Sequence, residues 1–429
     1  MKAPDGPVLR VFPEEGPLDE PLGVRVEGLS PGERVSLRCR LRDETGKEWI
    51  SQGEFEAGPG GTADPAQCPS LSGTYTGLDP EGLFWSMAPE PAGPRQGKFS
   101  LHDVSPVVVE LEALGRGRFL GRVPAARRIA SPGLLREDVR EGDLVGTLFL
   151  PPGGGPWPGV VDIVHSGGGL RHEPFAALLA SRGFAVLALA TFGFPPLSRG
   201  LVEIPVERLE KALAWLGAHP RVDGGRIALT GTSKGAELAL LGASMFGSVK
   251  AVAAFMPSSV LWSGIGRGYQ DRPSWTWRGL PLPFVSPRYD RLAPRSAGPL
   301  SLEPMYREAL RDLDAGHPAR IPLERARGPV LLLSPGDDAV MPAALMGAQL
   351  EERLVKAGFP HPFRHVVYPG AGHMIGSDLL PGLPSSVRHT FHPLARFRIA
   401  YGGTASATAA ASRRSWEELL RFLGESLRG

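Results

Sequence analysis

The stretch Arg226-Ile227-Ala228-Leu229-Thr230-Gly231-Thr232-Ser233-Lys234-Gly235-Ala236-Glu237-Leu238 decides the fold. An apolar run, a small polar turn and a second apolar run predict a strand, a tight turn and a helix. The turn holds a serine with glycines two residues to either side, Gly231 and Gly235. A serine perched on so sharp a turn has crowded backbone, and side chains at the flanking positions collide with it. The helix that starts there points its unpaired N–H groups toward charge developing on a substrate. Taken alone, the pattern also fits an ordinary Gly/Ser turn before a helix, so the neighbouring chain has to decide.

Outward from that turn, strands and helices alternate. Leu144–Leu150, Gly159–Val164, Phe184–Leu189, Ala251–Phe255, Val330–Ser334 and Phe363–Tyr368 read as strands. Pro174–Arg182, closed by Gly183, and Pro342–Lys356 read as helices. Val206, Leu209, Leu213 and Leu216 share one helical face, as do Trp416, Leu419, Leu420, Leu423 and Leu427. Such alternation predicts a mostly parallel sheet covered by helices on both faces. Residues 257–328 interrupt it, rich in proline, arginine and aromatics including Trp262, Trp275, Trp277, Phe284, Tyr289 and Tyr306. An irregular insertion between late strands predicts a cap over a site. Gly402–Ser412, low in complexity, reads as a loop.

The N-terminal part differs. Val8–Phe12, Leu22–Val26, Val35–Leu41 and Val107–Leu111 are short strands separated by Gly/Pro turns, which predicts a β-sandwich. The expected division is therefore a sandwich over residues 1–125 and a second domain over 126–429 that contains the cap. At 429 residues the chain has ample length for two cores. Its net charge of +2 gives no sign of a nucleic-acid partner. The N-terminal Met1–Pro7 lacks the apolar segment of a signal peptide, and the longest apolar run, Phe184–Phe194, is too short to span a membrane. Cytoplasmic residence is expected, with Cys39 and Cys68 as reduced packing residues. Oligomeric state leaves no mark in the sequence.

A serine on such a turn is a weak nucleophile until a base and an orienting carboxylate serve it. In the α/β-hydrolase fold these follow in the order Ser, Asp or Glu, His, on loops after later strands. Asp337 and Asp338 follow the strand ending at Ser334, and His373 follows the strand ending at Tyr368. Loops at the carboxyl ends of parallel strands converge, so the three can meet. The spacing to Pro342 favours Asp338 as the acid, with Asp337 the weaker candidate. An oxyanion hole needs two backbone donors. The N–H of Lys234 is one; Gly167 or Gly168, in His165-Ser166-Gly167-Gly168-Gly169-Leu170, supplies the other. The Lys234 side chain is either solvated or reaches an anionic substrate. The pairs His361/His365 and His389/His392 have metal-like spacing, but Pro362 and Pro393 break them as helical pairs, and they read as surface or packing histidines. No metal and no cofactor are expected.

Beyond these residues, several segments resemble the family of acyl-CoA thioesterases and bile acid-CoA:amino acid N-acyltransferases. They are Gly77–Trp85, Gly146–Pro152, Ser166–Leu170, Gly231–Leu238, Ile321–Arg325 and Tyr368–His373. The resemblance runs through nearly the whole chain, although residues 257–328 and 377–398 follow the pattern loosely. It implies an N-terminal Ig-like sandwich and a C-terminal α/β-hydrolase domain. It also implies an acyl-CoA substrate, with Ser233 as nucleophile, Asp338 as acid and His373 as base. The amino acid-conjugating branch has cysteine at the nucleophile position, whereas this chain has Ser233, so the resemblance implies hydrolysis with transfer to an amine as the alternative. An esterase or peptidase of the same fold, and a non-catalytic binding protein on this scaffold, are the remaining readings.

Overall fold

The computed structural model describes residues 6–91, 97–266, 268–287, 298–392, 394 and 396–427. The chain divides into two units: Met1–Ala130 with Leu380–Val387, and Ser131–Leu379 with Arg388–Gly429. The junction thus lies after residue 130 and not 125, and residues 380–387 belong to the first unit and not to the second.

The first unit is built from strands. A seven-stranded sheet runs Glu15–Pro17, Arg118–Arg128, Val107–Gly115, Arg34–Arg42, Glu48–Glu56 and Ser72–Gly73, with Ala88–Glu90 also paired to Glu48–Glu56. A two-stranded ribbon, Val8–Phe12 with Gly23–Glu27, packs on the strands Val107–Gly115 and Arg118–Arg128. Alternation sets the inner face: Val35, Leu37, Cys39 and Leu41 are buried along one strand, while Trp49, Ser51 and Phe55 are buried along its neighbour. Among the described residues the layers are unequal, the second being only the ribbon. Both cysteines are free thiols. The returning segment joins through Ser385, whose N–H donates to the Trp85 carbonyl at 3.0 Å, and buries Leu380, Leu383 and Val387.

The second unit holds an eight-stranded sheet: β1 Leu135–Glu141, β2 Leu144–Leu150, β3 Trp157–Ile163, β4 Ala185–Ala190, β5 Val222–Thr232, β6 Val249–Phe255, β7 Val330–Pro335 and β8 Phe363–Tyr368. Their spatial order is β1-β2-β4-β3-β5-β6-β7-β8. Strands β3 to β8 are parallel; β1 and β2 are antiparallel additions at one edge. Every residue of β2, β4 and β7 is buried, as expected for strands covered on both faces. The main helices are α1 Glu173–Ala180, α2 Glu207–Ala218, α3 Lys234–Met245, α4 Ala343–Lys356 and α5 Ala405–Leu427. Helix α2 buries Leu209, Ala212, Leu213 and Leu216, a stripe at helical spacing.

Two expectations fail in this unit. Residues 405–412 form the first turns of α5 and not a loop. Alanine is the best helix former, and Thr408, Ala409, Ala411 and Ser412 are small enough to pack close against the sheet. The cap is also more regular than its composition suggests. Ser263–Gly266 pairs with Gly268–Pro273, Trp275–Trp277 pairs with Ile204–Pro205 and with Leu280–Pro281, and Glu303–Arg311 is a helix. Trp262, Trp275 and Tyr306 are buried, with Trp262 and Tyr306 packed edge-to-face at 4.6 Å. Tyr289 and the rest of 288–297 lie outside the described residues. Among the described residues, no helix is long and apolar enough to cross a membrane.

Candidate active site

Strand β5 ends at Thr232 and α3 begins at Lys234, so Ser233 is the whole turn. Its φ of 56° and ψ of −114° are strained for a residue with a side chain, at a cost of about 1–3 kcal/mol. The two glycines make that turn possible. A Cβ on Gly231 would lie 2.3 Å from the Gly235 carbonyl oxygen, and one on Gly235 would lie 2.2 Å from the Ile163 carbonyl oxygen. The strand-to-helix approach is closer than any side chain tolerates.

The predicted partners arrive from the loops after β7 and β8. His373 Nε2 lies 3.2 Å from Ser233 Oγ, and His373 Nδ1 lies 2.8 Å from Asp338 Oδ2. The other Asp338 oxygen accepts the N–H groups of Val340 and Met341 at 2.8 and 3.1 Å. Those bonds fix the carboxylate, and all three side chains are buried. Asp337 is exposed, its backbone N–H donating to the Ala371 carbonyl at 2.9 Å. Of the two aspartates, Asp338 is therefore the one that reaches His373.

Support for these loops comes from Tyr401, Gly402 and Gly403, at the start of the low-complexity stretch that reads as a loop. The Tyr401 carbonyl accepts the N–H of both Ala339, in the acid loop, and His373, in the base loop, at 3.2 and 2.8 Å. The Tyr401 ring stacks on the His373 ring at 6.3 Å. Gly402 and Gly403 both have positive φ, and a Cβ there would lie 2.0 Å from the Asp337 carbonyl oxygen and 2.2 Å from the Gly372 nitrogen. The Gly402-Gly403 doublet was the available signal. On the elbow side, Ser377 Oγ donates to Thr232 Oγ1 at 2.9 Å and ties the base loop to the nucleophile strand.

The glycine loop follows β3. Gly168 has a φ of 65°, and a Cβ there would meet the Phe192 ring at 2.6 Å, so glycine is required on both counts. Neither predicted donor is open in this conformation. The Gly167 N–H donates to His165 Nδ1 at 2.9 Å and the Gly168 N–H to the His165 carbonyl at 3.1 Å. Ser166 Oγ lies 3.0 Å from His392 Nε2, so one histidine read as surface or packing reaches this loop instead. The Lys234 N–H stands at the start of α3, where backbone donors have no partner within the helix. Its side chain neither is solvated nor reaches out to a substrate: it is buried against Glu237, 2.8 Å away.

Below the loop sits a buried polar pair. Asp162, on β3, accepts the Thr230 hydroxyl at 2.6 Å through Oδ1, while its Oδ2 has no hydrogen-bond partner among the described residues. His172 Nε2 lies 3.2 Å from the Asp162 carbonyl and 3.7 Å from Oδ2. Burial pushes the Asp162 carboxyl up to about 7. Burial and then neighbouring His165 push His172 down to about 3. Among the described residues, no three His, Cys, Asp or Glu side chains gather as a metal ion would require.

Strand order, the strained serine on a strand-to-helix turn, and two loops converging on it define an α/β-hydrolase-like fold. Residues 204–429 match the family model described as BAAT / acyl-CoA thioester hydrolase C terminal, and residues 19–141 match the acyl-CoA thioester hydrolase/BAAT N-terminal region. The chain belongs to the acyl-CoA thioester hydrolase/BAAT family. It is 34% identical over 414 residues to the peroxisomal succinyl-coenzyme A thioesterase of Mus musculus, covering 95% of this chain and 94% of that one. It is 34% identical over 416 residues to acyl-coenzyme A thioesterase 1 of Homo sapiens, covering 96% and 94%. Acyl-coenzyme A thioesterase 6 of Mus musculus is 36% identical over 417 residues, with 96% and 94% covered.

Proposed function

We propose that this chain hydrolyses acyl-CoA thioesters to a carboxylic acid and free coenzyme A through an acyl-serine intermediate on Ser233. The observation that carries the reading is the hydrogen-bonded series Ser233 Oγ–His373 Nε2–His373 Nδ1–Asp338, at 3.2 and 2.8 Å. His373 takes the Ser233 proton as Oγ attacks the thioester carbonyl, and Asp338 holds the imidazole in the tautomer that can accept it. The tetrahedral oxyanion is met by the Lys234 N–H, with a second donor from the glycine loop. Collapse expels the coenzyme A thiolate, which takes the proton from His373. Water then enters, His373 removes its proton, and attack on the acyl ester returns Ser233 with the free acid. The family membership and the thioesterase relatives support the thioester as the bond attacked. Residence in the cytoplasm belongs to the same proposal, as do independence of any cofactor and a small-molecule acyl-CoA as the one partner required.

The test is a panel of acyl-CoA thioesters and simple oxygen esters, followed for thiol and acid release with wild type and Ser233→Ala. Turnover of the thioesters by wild type and its loss in the folded variant support the reading. Unchanged thiol release by Ser233→Ala overturns it. Adding glycine or taurine separates water from amine as acceptor: hydrolysis predicts free acid as the product, while a dominant amide would make the chain a transferase. Turnover of oxygen esters alone would make it an esterase.

A further inference from the structure

A second cluster of buried charge adjoins the elbow. Glu237, one turn into α3, is fully buried, and its two oxygens accept from Lys234 Nζ at 2.8 and 2.9 Å. Oε1 also accepts the indole N–H of Trp275 at 2.7 Å and the backbone N–H of Trp262 at 3.2 Å. Lys234 Nζ donates in addition to the Trp262 carbonyl at 3.3 Å and lies 5.6 Å from the centre of the Trp275 ring. Ser274 Oγ donates to the same carbonyl at 2.9 Å. The pair thus joins the first turn of α3 to the cap residues 262–275.

Stability is a poor explanation for such an arrangement. Desolvation opposes both charges, pulling the Lys234 ammonium below its usual range and pushing the Glu237 carboxyl above its own, and the pairing works against each shift. A buried ion pair of this kind is often no more stabilising than apolar side chains of similar volume. What it supplies is direction. Lys234 is the residue whose side chain is tied to the cap and whose backbone N–H is offered to the oxyanion.

We propose that the buried Lys234–Glu237 pair is a positioning device that bolts Trp262 and Trp275 of the cap to the start of α3, so that the docked cap fixes the aim of the Lys234 N–H. The inference rests on the acyl-serine reading above and deepens it: the cap takes part in stabilising the transition state. Glu237→Gln keeps one oxygen to accept both tryptophan N–H groups and loses the charge that holds Lys234. Lys234→Met with Glu237→Met removes the pair while filling its volume.

The experiment measures kcat and KM with octanoyl-CoA, inhibition by octylboronic acid, and binding of the non-hydrolysable thioether S-octyl-coenzyme A. The boronate becomes tetrahedral on the serine and samples the oxyanion site; the thioether does not. Both variants are expected to lose kcat by about 10- to 100-fold with KM within about twofold, less than the roughly 100- to 1,000-fold cost of losing an oxyanion donor outright because the N–H is misaimed and not removed. Boronate inhibition should weaken by the same factor and thioether binding should stay unchanged. Trp275→Phe, which removes only the cap's indole donor, should show a smaller loss in the same direction, and it carries the test with the double variant if Glu237→Gln does not fold. A kcat within twofold of wild type in the folded variants overturns the proposal, and so does equal weakening of boronate and thioether. Labelling of wild-type Ser233 by a serine-directed fluorophosphonate separates the two levels. If wild type is not labelled, the acyl-serine reading falls and this inference with it; if it is labelled and the variants are unimpaired, only this inference falls.

Discussion

The two sides of the candidate oxyanion site are built differently. On the elbow side, Ser233 and the Lys234 N–H are held by glycines on both flanks, a strained φ, the start of a buried helix and the bond of the Lys234 side chain to Glu237. On the glycine-loop side, the Gly167 and Gly168 N–H groups already have an acceptor, the ring and the carbonyl of His165. One side is preorganised, which is where electrostatic catalysis gains most. The other has to exchange a hydrogen bond before it can serve a substrate. The difference puts the rearrangement that the oxyanion site needs in the loop after β3 and not in the elbow.

The largest expected effect breaks the fixed side at its orienting group. Asp338→Asn should lower kcat by about 10⁴-fold, because the amide favours the wrong tautomer of His373. Steady-state kinetics with circular dichroism as the folding control checks it; a loss below tenfold would remove Asp338 from the relay. Next is Gly235→Ala, whose methyl would sit 2.2 Å from the Ile163 carbonyl oxygen. It should destabilise the fold by about 2–3 kcal/mol and depress activity in the fraction that folds, as read by urea unfolding and active-site titration. His165→Ala sharpens the other side. Removing the competing ring should raise kcat/KM by about two- to tenfold, the worth of one neutral hydrogen bond. A fall would mean that the ring's hold on the loop is itself needed.

In the unaltered protein the smallest effect is on the pH dependence of stability, through the pair beneath that loop. Asp162 is raised from 3.8 to about 7, so the folded chain keeps a proton that the unfolded chain has released. Its contribution falls as pH climbs from about 4 to about 7. His172 is lowered from 6.5 to about 3, so the unfolded chain takes up a proton that the folded chain does not. Its contribution falls as pH drops from about 6.5 toward 3. Between about pH 4 and 6.5 the two slopes oppose and nearly cancel. Asp162→Asn should leave the His172 slope alone and make the protein lose stability below about pH 6.5, by up to about 1.4 kcal/mol per unit. His172→Gln should leave the opposite slope. Urea midpoints measured across that window decide it, and a flat profile in both variants would contradict the environments assigned to the pair.

What was legible in the sequence was local or periodic. The elbow is a five-residue pattern set by backbone crowding, and the sheet strands are uninterrupted apolar runs. Asp338 and His373 could be picked because chain order and strand ends restrict where an acid and a base can stand. What escaped depends on partners far along the chain. Nothing in the spacing of Lys234 and Glu237 says that Trp262 and Trp275 will close over them, or that His392 will reach Ser166. The polar look of 402–412 hid a helix start because small side chains at a close helix-sheet contact resemble loop composition. His165 capping its own loop is a side-chain orientation, which no pattern records.

The segment Leu380–Val387 bears on how this protein can be made and divided. It belongs to the first unit although the chain has by then passed through all eight strands of the second. During vectorial synthesis the N-terminal unit stays incomplete until residue 387 has emerged, by which time the sheet of its neighbour has been made. A fragment cut at Ala130 would leave Leu380, Leu383 and Val387 without the surface that covers them. The first unit is continuous in space but not in sequence, so a single cleavage cannot release it intact.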